Sequence, residues 1–170
     1  LNQHAPYPAV VVNRRYDMLK HNTGFDLLLD WLSEGHESLR QYTNLYRLIF
    51  AEDGLRHYCA DWYALYPLLL KRLHEECVAY QSEALNLLYE ACLTCVPSSA
   101  QPITLDHHLP VITFTLCKGS VTLEFFSAIT TFGTAIDVTV QALSLESMFP
   151  ANAETRRFFD TGLLKTAHSR

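Results

Sequence analysis

Glycine and charged residues are scarce in this sequence. Only six of the 170 residues are glycine, and 18% are charged. The sequence accordingly contains no phosphate-binding loop, no glycine-rich dinucleotide turn, no nucleophile elbow and no His-Glu-x-x-His zinc pattern. We therefore expect no catalytic residues, no metal site and no cofactor, and we predict that the protein is not an enzyme.

Clustered positive charge is also missing. The chain has 13 Lys+Arg against 18 Asp+Glu, a formal net charge of −5, and its basic runs are no longer than pairs such as Arg14-Arg15. Because a nucleic-acid-binding surface needs clustered basic residues to displace counterions, these residues are not expected to bind DNA by themselves. The chain starts at Leu1 rather than Met, so we expect it to begin inside a longer gene product or a processed one, with a further N-terminal segment missing here.

Long apolar runs and a disulfide pattern are absent too. No run reaches the roughly 18 residues of a membrane span, and no signal peptide is recognisable. Five cysteines are an odd number, and a chain of this length can build a core without disulfides. We expect a cytoplasmic protein with no membrane partner.

Apolar and aromatic residues, in contrast, are abundant. They make up 49% and 12% of the chain, with nine Phe, nine Tyr and two Trp. This length suits one domain spanning residues 1–170. The apolar surplus predicts either a ligand cavity or a partner surface.

The hydrophobic pattern predicts strands at both ends of the chain and helices between them. Strands are expected at 9–13, 16–21, 111–117, 121–132 and 143–149. Helices are expected at 25–32, 38–50, 52–80, 83–95 and 151–160. Asn22 and Ser82 are expected to start the helices that follow them, and Pro67 is expected to kink or break the long helix just before Tyr66.

The order of these elements indicates the fold class. Two N-terminal and three C-terminal strands around a helical block favour an α+β fold, in which one antiparallel sheet of about five strands carries the helices on one face. In the strand 121–132, Val121, Leu123, Phe125 and Ile129 should face one way and Thr122, Glu124, Phe126 and Thr130 the other. Leu143, Leu145 and Phe149 should likewise share one side of the last strand.

The spacing Cys92-x-x-Cys95 is the one pattern that invites a chemical interpretation. A redox pair needs its first sulfur near a helix N-terminus, whereas Cys92 falls near a predicted C-terminus. A zinc site needs a second pair of ligands at finger spacing, and His107 and His108 are adjacent. Packing on a buried helix face explains the spacing better, and a zinc or thiol redox enzyme remains a remote alternative.

Several motifs together resemble a known family. Residues 8–22 read PAVVVNRRYDMLKHN, an apolar strand, an Arg-aromatic-Asp turn and a closing Asn. Residues 44–50, the pair Asp61-Trp62, and residues 123–139 and 143–151 follow in the family's order. This series, spread over about residues 8–157, is similar to the MmyB-like ligand-binding domain.

The resemblance implies a PAS-like sensor domain of a bacterial transcription regulator of the XRE family. Such a domain follows a helix-turn-helix domain that binds DNA, so DNA would be a partner only through that N-terminal part. It also implies a small apolar ligand, with fatty-acid-like molecules favoured, held between sheet and helices. Pro67 and the Cys92-x-x-Cys95 pair depart from the family pattern.

The resemblance and the residue types together nominate ligand-binding residues. A ligand carboxylate would need a basic or amide partner, for which Asn22, Arg47 and Arg56 are the candidates. The apolar tail would meet residues of the sheet and helices, namely Val12, Met18, Leu48, Trp62, Phe114, Phe126 and Ile129. A plain core role fits each of these equally well. The alternative function is a dimerisation or protein-interaction module, such as a homodimer, without a ligand.

Overall fold

The computed structural model describes residues 1–35, 37–96, 111–132 and 143–167. Three short 3-10 helices span Asn2–His4, Glu37–Leu39 and Leu55–Tyr58. The longer elements, in chain order, are β1 (Ala9–Val12), β2 (Met18–His21), α1 (Thr23–Ser33), α2 (Leu45–Phe50), α3 (Trp62–Tyr80), α4 (Glu83–Thr94), β3 (Ile112–Lys118), β4 (Val121–Phe132), β5 (Leu143–Pro150) and α5 (Ala153–Ala167). The part of the C-terminal motif at 133–139 and the pair His107-His108 lie outside the described residues.

The five strands form one antiparallel sheet in the order β2-β1-β5-β4-β3. Strands from the two ends of the chain therefore meet in the middle of the sheet, where β1 pairs with β5. The predicted α+β class, with two N-terminal and three C-terminal strands, is confirmed, and the arrangement is PAS-like. No helix within the described ranges is long and apolar enough to cross a membrane.

The alternation predicted for β4 is confirmed. Leu123 and Phe125 are buried on the side of the helices, whereas Thr122 and Glu124 are exposed. In β5 the helix-facing side carries Glu146 and Met148. Phe149 lies on the other side and stacks on Phe126, with ring centroids 5.0 Å apart. The apolar residues of β5 that the sequence pattern groups together thus face away from the helices.

The helix predicted at 38–50 is wrong in its first half. The structure has the 3-10 helix Glu37–Leu39 and then α2, which begins only after Asn44. The intervening backbone bonds to the β1–β2 turn instead, because the Thr43 carbonyl accepts from the Met18 amide at 2.7 Å. The Asn44 side chain donates to the Arg15 carbonyl at 2.7 Å and accepts from the Arg47 amide. Side-chain bonds of this kind compete with helix continuation.

The helix predicted at 52–80 is broken, but not at the expected place. The break falls at Cys59–Asp61, where the Ala60 amide donates to the Thr115 carbonyl of β3 at 3.0 Å. From Trp62 the helix α3 runs unbroken through Pro67 to Tyr80. Pro67 lies in the second turn, so it removes only the bond to Tyr63. Tyr63 is 71% exposed, which leaves its carbonyl near water.

Two predicted helix starts are confirmed. The Ser82 hydroxyl accepts from the Leu85 amide at 3.5 Å. The Asn22 side-chain oxygen accepts from the amides of Phe25 and Ala9, both at 3.0 Å, and its amide group donates to the Tyr7 carbonyl at 2.8 Å. Asn22 thus joins α1 to β1 from a buried position. The last helix begins close to its predicted start but extends beyond 160, to Ala167.

We predict that Asn22→Ala lowers the free energy of unfolding by about 3 kcal/mol, because it removes a helix cap and leaves buried backbone groups without partners. The matched change Ser82→Ala removes one long cap bond and should cost about 1 kcal/mol or less. Urea unfolding followed by circular dichroism measures both. Equal losses in the two variants would contradict the structural role assigned to Asn22.

Candidate functional site

A largely apolar chamber lies between α2, α3 and the sheet. Its volume is about 70 Å³, taken as the space open to the centres of water molecules. The apolar lining comes from α2, α3, β3, β5 and the turn before α3, namely Leu45, Ile49, Leu55, Trp62, Leu65, Leu69, Ile112, Phe114, Leu116 and Met148. The polar lining consists of Arg56, Cys59, Arg72, Ser127 and Glu146.

One stripe of α3 runs along the chamber. Trp62, Leu65, Leu69 and Arg72 all line it, and their spacing of three, four and three residues places them on one helix face. At 1.5 Å per residue, this stripe is about 15 Å long. The chamber is therefore elongated along α3, with Trp62 at one end and Arg72 at the other.

The N-terminal end of α3 is attached to the sheet by polar contacts. The Asp61 carboxylate accepts from the Thr115 amide of β3 at 3.2 Å and from the Cys59 thiol at 3.2 Å. These contacts and the backbone bond from Ala60 to Thr115 pair the segment before α3 with the edge of β3. The segment before α3 is thus joined to the sheet by a backbone bond and by the Asp61 side chain.

A buried ion pair attaches α3 to the sheet at the other end. Arg72 Nη2 donates to Glu146 Oε1 of β5 at 2.8 Å, and the two side chains are 20% and 9% exposed. Burial by itself lowers the pKa of the Arg72 guanidinium, but Glu146, Tyr46 and Tyr16 together outweigh it and hold the pKa above its usual value. Arg72 therefore stays charged and holds the helix to the sheet across the chamber.

Tyr16 and Glu76 surround the same arginine. The Arg72 guanidinium lies over the Tyr16 ring, 5.4 Å from its centroid, and Arg72 Nε is 3.7 Å from Glu76 Oε1. The Tyr16 hydroxyl donates to Glu76 at 2.6 Å. Burial raises the pKa of this phenol far above its usual value, so it remains a proton donor. The β1–β2 turn is thereby connected to the chamber.

A second, more polar space adjoins the first. It is an open cleft of about 490 Å³ by the same measure, lined in part by His57, Tyr63 and Thr94. Arg56 and Trp62 line both the cleft and the chamber. The Arg56 guanidinium also donates a short hydrogen bond to the Cys95 carbonyl. A charged group thus lies where the polar cleft meets the apolar chamber.

The structure places three of the nominated residues around the chamber: Arg56, Trp62 and Phe114. Val12 and Leu48 have no exposed surface and belong to the closed core. On α2 it is Leu45 and Ile49, rather than Leu48, that line the chamber.

The other nominated residues lie elsewhere. Phe126 is on the sheet face that points away from the helices, and the Asn22 side chain is occupied by four hydrogen bonds to backbone groups. Arg47 is exposed on α2. Met18 and Ile129 are half-buried on the sheet, outside the set of lining residues.

The sequence reasoning missed the ion pair Arg72–Glu146. Arg72 follows Leu69 by three residues, so it continues the apolar stripe of α3. A charged residue on an apolar helix face is a sequence feature that could have indicated a buried ion pair. Glu146 gives no such signal, because an acidic residue on an alternating strand is typical of a solvent-facing position. Only the sheet order brings it opposite α3.

Cys59 and Cys92 offer little reactive thiolate at neutral pH. Burial, aided by the neighbouring Cys95, raises the pKa of Cys92 to about 12. Burial and the contact to Asp61 raise that of Cys59 to about 12 as well. Within the described residues no three His, Cys, Asp or Glu side chains form a group that could hold a metal ion. Neither observation supports the redox or zinc alternative.

Comparison with models of protein families gives a match over most of the chain. The family model described as "MmyB-like transcription regulator ligand binding domain" matches residues 1–161, nearly the whole chain. The match includes every residue that lines the chamber. No curated protein matches the chain.

We predict that Glu146→Leu lowers the free energy of unfolding by about 3 kcal/mol, because the buried Arg72 charge then keeps only Glu76, 3.7 Å away, as an acidic partner. The double change Arg72→Met with Glu146→Leu should recover most of that loss, since an apolar pair of similar volume replaces the ion pair. Chemical unfolding of the three proteins measures this.

The exposed pair between Arg40 and Asp30, at 2.7 Å, provides the control. Arg40→Met should cost about 0–1 kcal/mol. If Glu146→Leu costs no more than Arg40→Met, the ion pair in the chamber does not hold α3 to the sheet.

Proposed function

The chain belongs to the family of MmyB-like transcription regulator ligand binding domains, and on that premise we propose that its effector is a fatty-acid-like amphiphile that binds in the chamber. The domain would be the sensing part of a bacterial regulator of the XRE type, acting in the cytoplasm. DNA would be read by a helix-turn-helix domain N-terminal to this one.

The observation that carries the proposal is the apolar space itself. Protein interiors are close-packed and rarely leave voids larger than a water molecule. One water needs roughly 10–15 Å³ of such space, so about 70 Å³ is room for a guest of several heavy atoms. An apolar cavity binds apolar molecules better than water. An interaction module with a filled core, the alternative function, would have no such space.

The position of Arg56 supports an amphiphile with an acidic head. A carboxylate at the junction of chamber and cleft would meet the guanidinium of Arg56, and Arg–carboxylate pairs are among the stronger hydrogen bonds in proteins. The apolar tail would then extend along α3 past Leu65 and Leu69. A chain too long for the chamber could leave its head end in the cleft, which shares Arg56 and Trp62.

The N-terminal segment offers a route from the ligand to a preceding domain. Met148 lines the chamber with its side chain. Its backbone amide donates to the Pro8 carbonyl at 2.9 Å, and its carbonyl is 3.1 Å from His4 Nε2. A ligand that shifts Met148 would therefore act on residues 4–8. Such a ligand can bias a conformation only if it binds the two states with different affinity.

We predict that Leu65→Trp weakens the binding of medium-chain fatty acids, because the larger ring fills the middle of the chamber. Isothermal titration with dodecanoate should show the dissociation constant rising at least about tenfold, a change of 1.4 kcal/mol. Dodecanoate at 100 times its dissociation constant should add about 2.7 kcal/mol to the stability of the unchanged protein, and at most about 1.4 kcal/mol to the variant at the same concentration.

Leu87→Trp is the matched control, because Leu87 is 64% exposed on α4 and lies outside the chamber lining. It should bind dodecanoate as the unchanged protein does. Circular dichroism confirms that both variants fold. Undiminished binding to a folded Leu65→Trp protein, or no binding of any fatty acid to the unchanged one, would refute the proposal.

A further inference from the structure

The buried end of the chamber is charged rather than apolar. Arg72 and Glu146 both line it, together with the Ser127 hydroxyl. From this juxtaposition we propose that the effector carries a second polar group at the far end of its tail, a neutral one that both donates and accepts hydrogen bonds, such as a hydroxyl or a primary amide. The inference rests on the proposed function and narrows its ligand class.

The two polar parts of the chamber are separated along α3. Arg56 lines the chamber near Trp62, and Arg72 lies ten residues further along the helix, about 15 Å at 1.5 Å per residue. Between them α3 presents only Leu65 and Leu69 to the space. An extended chain with its head at Arg56 therefore points its tail at the ion pair.

The balance of charge at that end disfavours an anionic tip. Arg72 carries one positive charge, while Glu146 lies 2.8 Å and Glu76 3.7 Å from its guanidinium nitrogens. The three groups together are net negative by one charge. A second ligand carboxylate would be buried beside two like charges, which is costly.

A neutral donor–acceptor tip fits the same groups. The hydrogen bond to Glu146 uses one of the five N–H donors of Arg72 and one acceptor site of a carboxylate that has about four. A hydroxyl can therefore donate to Glu146 and accept from Arg72 without breaking the pair. A methyl tip would displace water from these groups and offer no hydrogen bond in return, and hydrogen bonds to charged groups are the stronger kind.

The alternative is that the ion pair only fastens α3 to the sheet. In that case the tail would end short of it, and the chemistry of the tip would not affect affinity. The two possibilities differ in what a change at the tip does. Stability alone does not separate them, because in both cases the pair makes the same contact between α3 and the sheet.

The test compares unbranched fatty acids from octanoate to tetradecanoate with their ω-hydroxy and ω-carboxy counterparts by isothermal titration near neutral pH. At the best-bound length, the ω-hydroxy acid should bind the unchanged protein about tenfold more tightly than the plain acid, a difference of 1.4 kcal/mol. The dicarboxylate should bind at least about tenfold more weakly than the plain acid.

Two variants test which residues contact each end of the ligand. The double change Arg72→Met with Glu146→Leu should remove the ω-hydroxy preference while the plain acid still binds. Arg56→Met should weaken the plain and the ω-hydroxy acid by the same factor and leave their ratio unchanged. If the double variant does not fold, the comparison of ligands on the unchanged protein still decides the matter.

Three results would overturn the inference. Equal or weaker binding of the ω-hydroxy acid at every length would refute it and leave the proposed function intact. A preference that survives in the folded double variant would place the tip away from Arg72 and Glu146. Failure of all the acids to bind would refute both the inference and the proposed function.

Discussion

The helix α3 is held to the sheet by polar contacts at two separate points, and the chamber lies between them. At one end Asp61 and Ala60 pair with Thr115 of β3, and at the other Arg72 pairs with Glu146 of β5. These contacts fix both ends of α3 on the sheet, and Leu65 and Leu69 face the chamber between them. This is the constraint on which the position of the chamber, its shape and the proposed function depend.

Holding two elements together by a buried ion pair has a high desolvation cost. Two charges must leave water, and well-packed apolar residues would often serve stability as well or better. The charged groups also make contacts outside the pair. The Arg72 guanidinium lies over the Tyr16 ring, and the Tyr16 hydroxyl donates to Glu76. The Tyr16 carbonyl in turn accepts from the Leu45 amide at the start of α2. Charges in the chamber are thus linked to the β1–β2 turn and to a second chamber-lining helix.

The sequence predicts the fold far better than the site. The alternation in β4 and the helix caps at Asn22 and Ser82 depend on neighbouring residues alone, so both predictions are confirmed by the structure. The helices predicted at 38–50 and 52–80 fail where residues 43–45 and 59–61 hydrogen-bond to distant strands, which no local pattern reveals. Long-range pairing also limits the prediction of the site. Residue type was enough to nominate Arg56, Trp62 and Phe114, whereas Glu146 lines the chamber only because the strand order places β5 opposite α3.

The central claim is that the space beside α3 holds the apolar tail of an effector. The most direct measurement is a methyl-resolved NMR titration with dodecanoate, in which ligand protons are tested for contacts to individual methyl groups. The account predicts contacts and shifts at Leu65, Leu69 and Met148, with Leu32 of α1 and Leu85 of α4 unaffected. Ligand contacts confined to exposed methyl groups such as those of Leu19 and Leu87, with Leu65 and Leu69 unchanged, would contradict it.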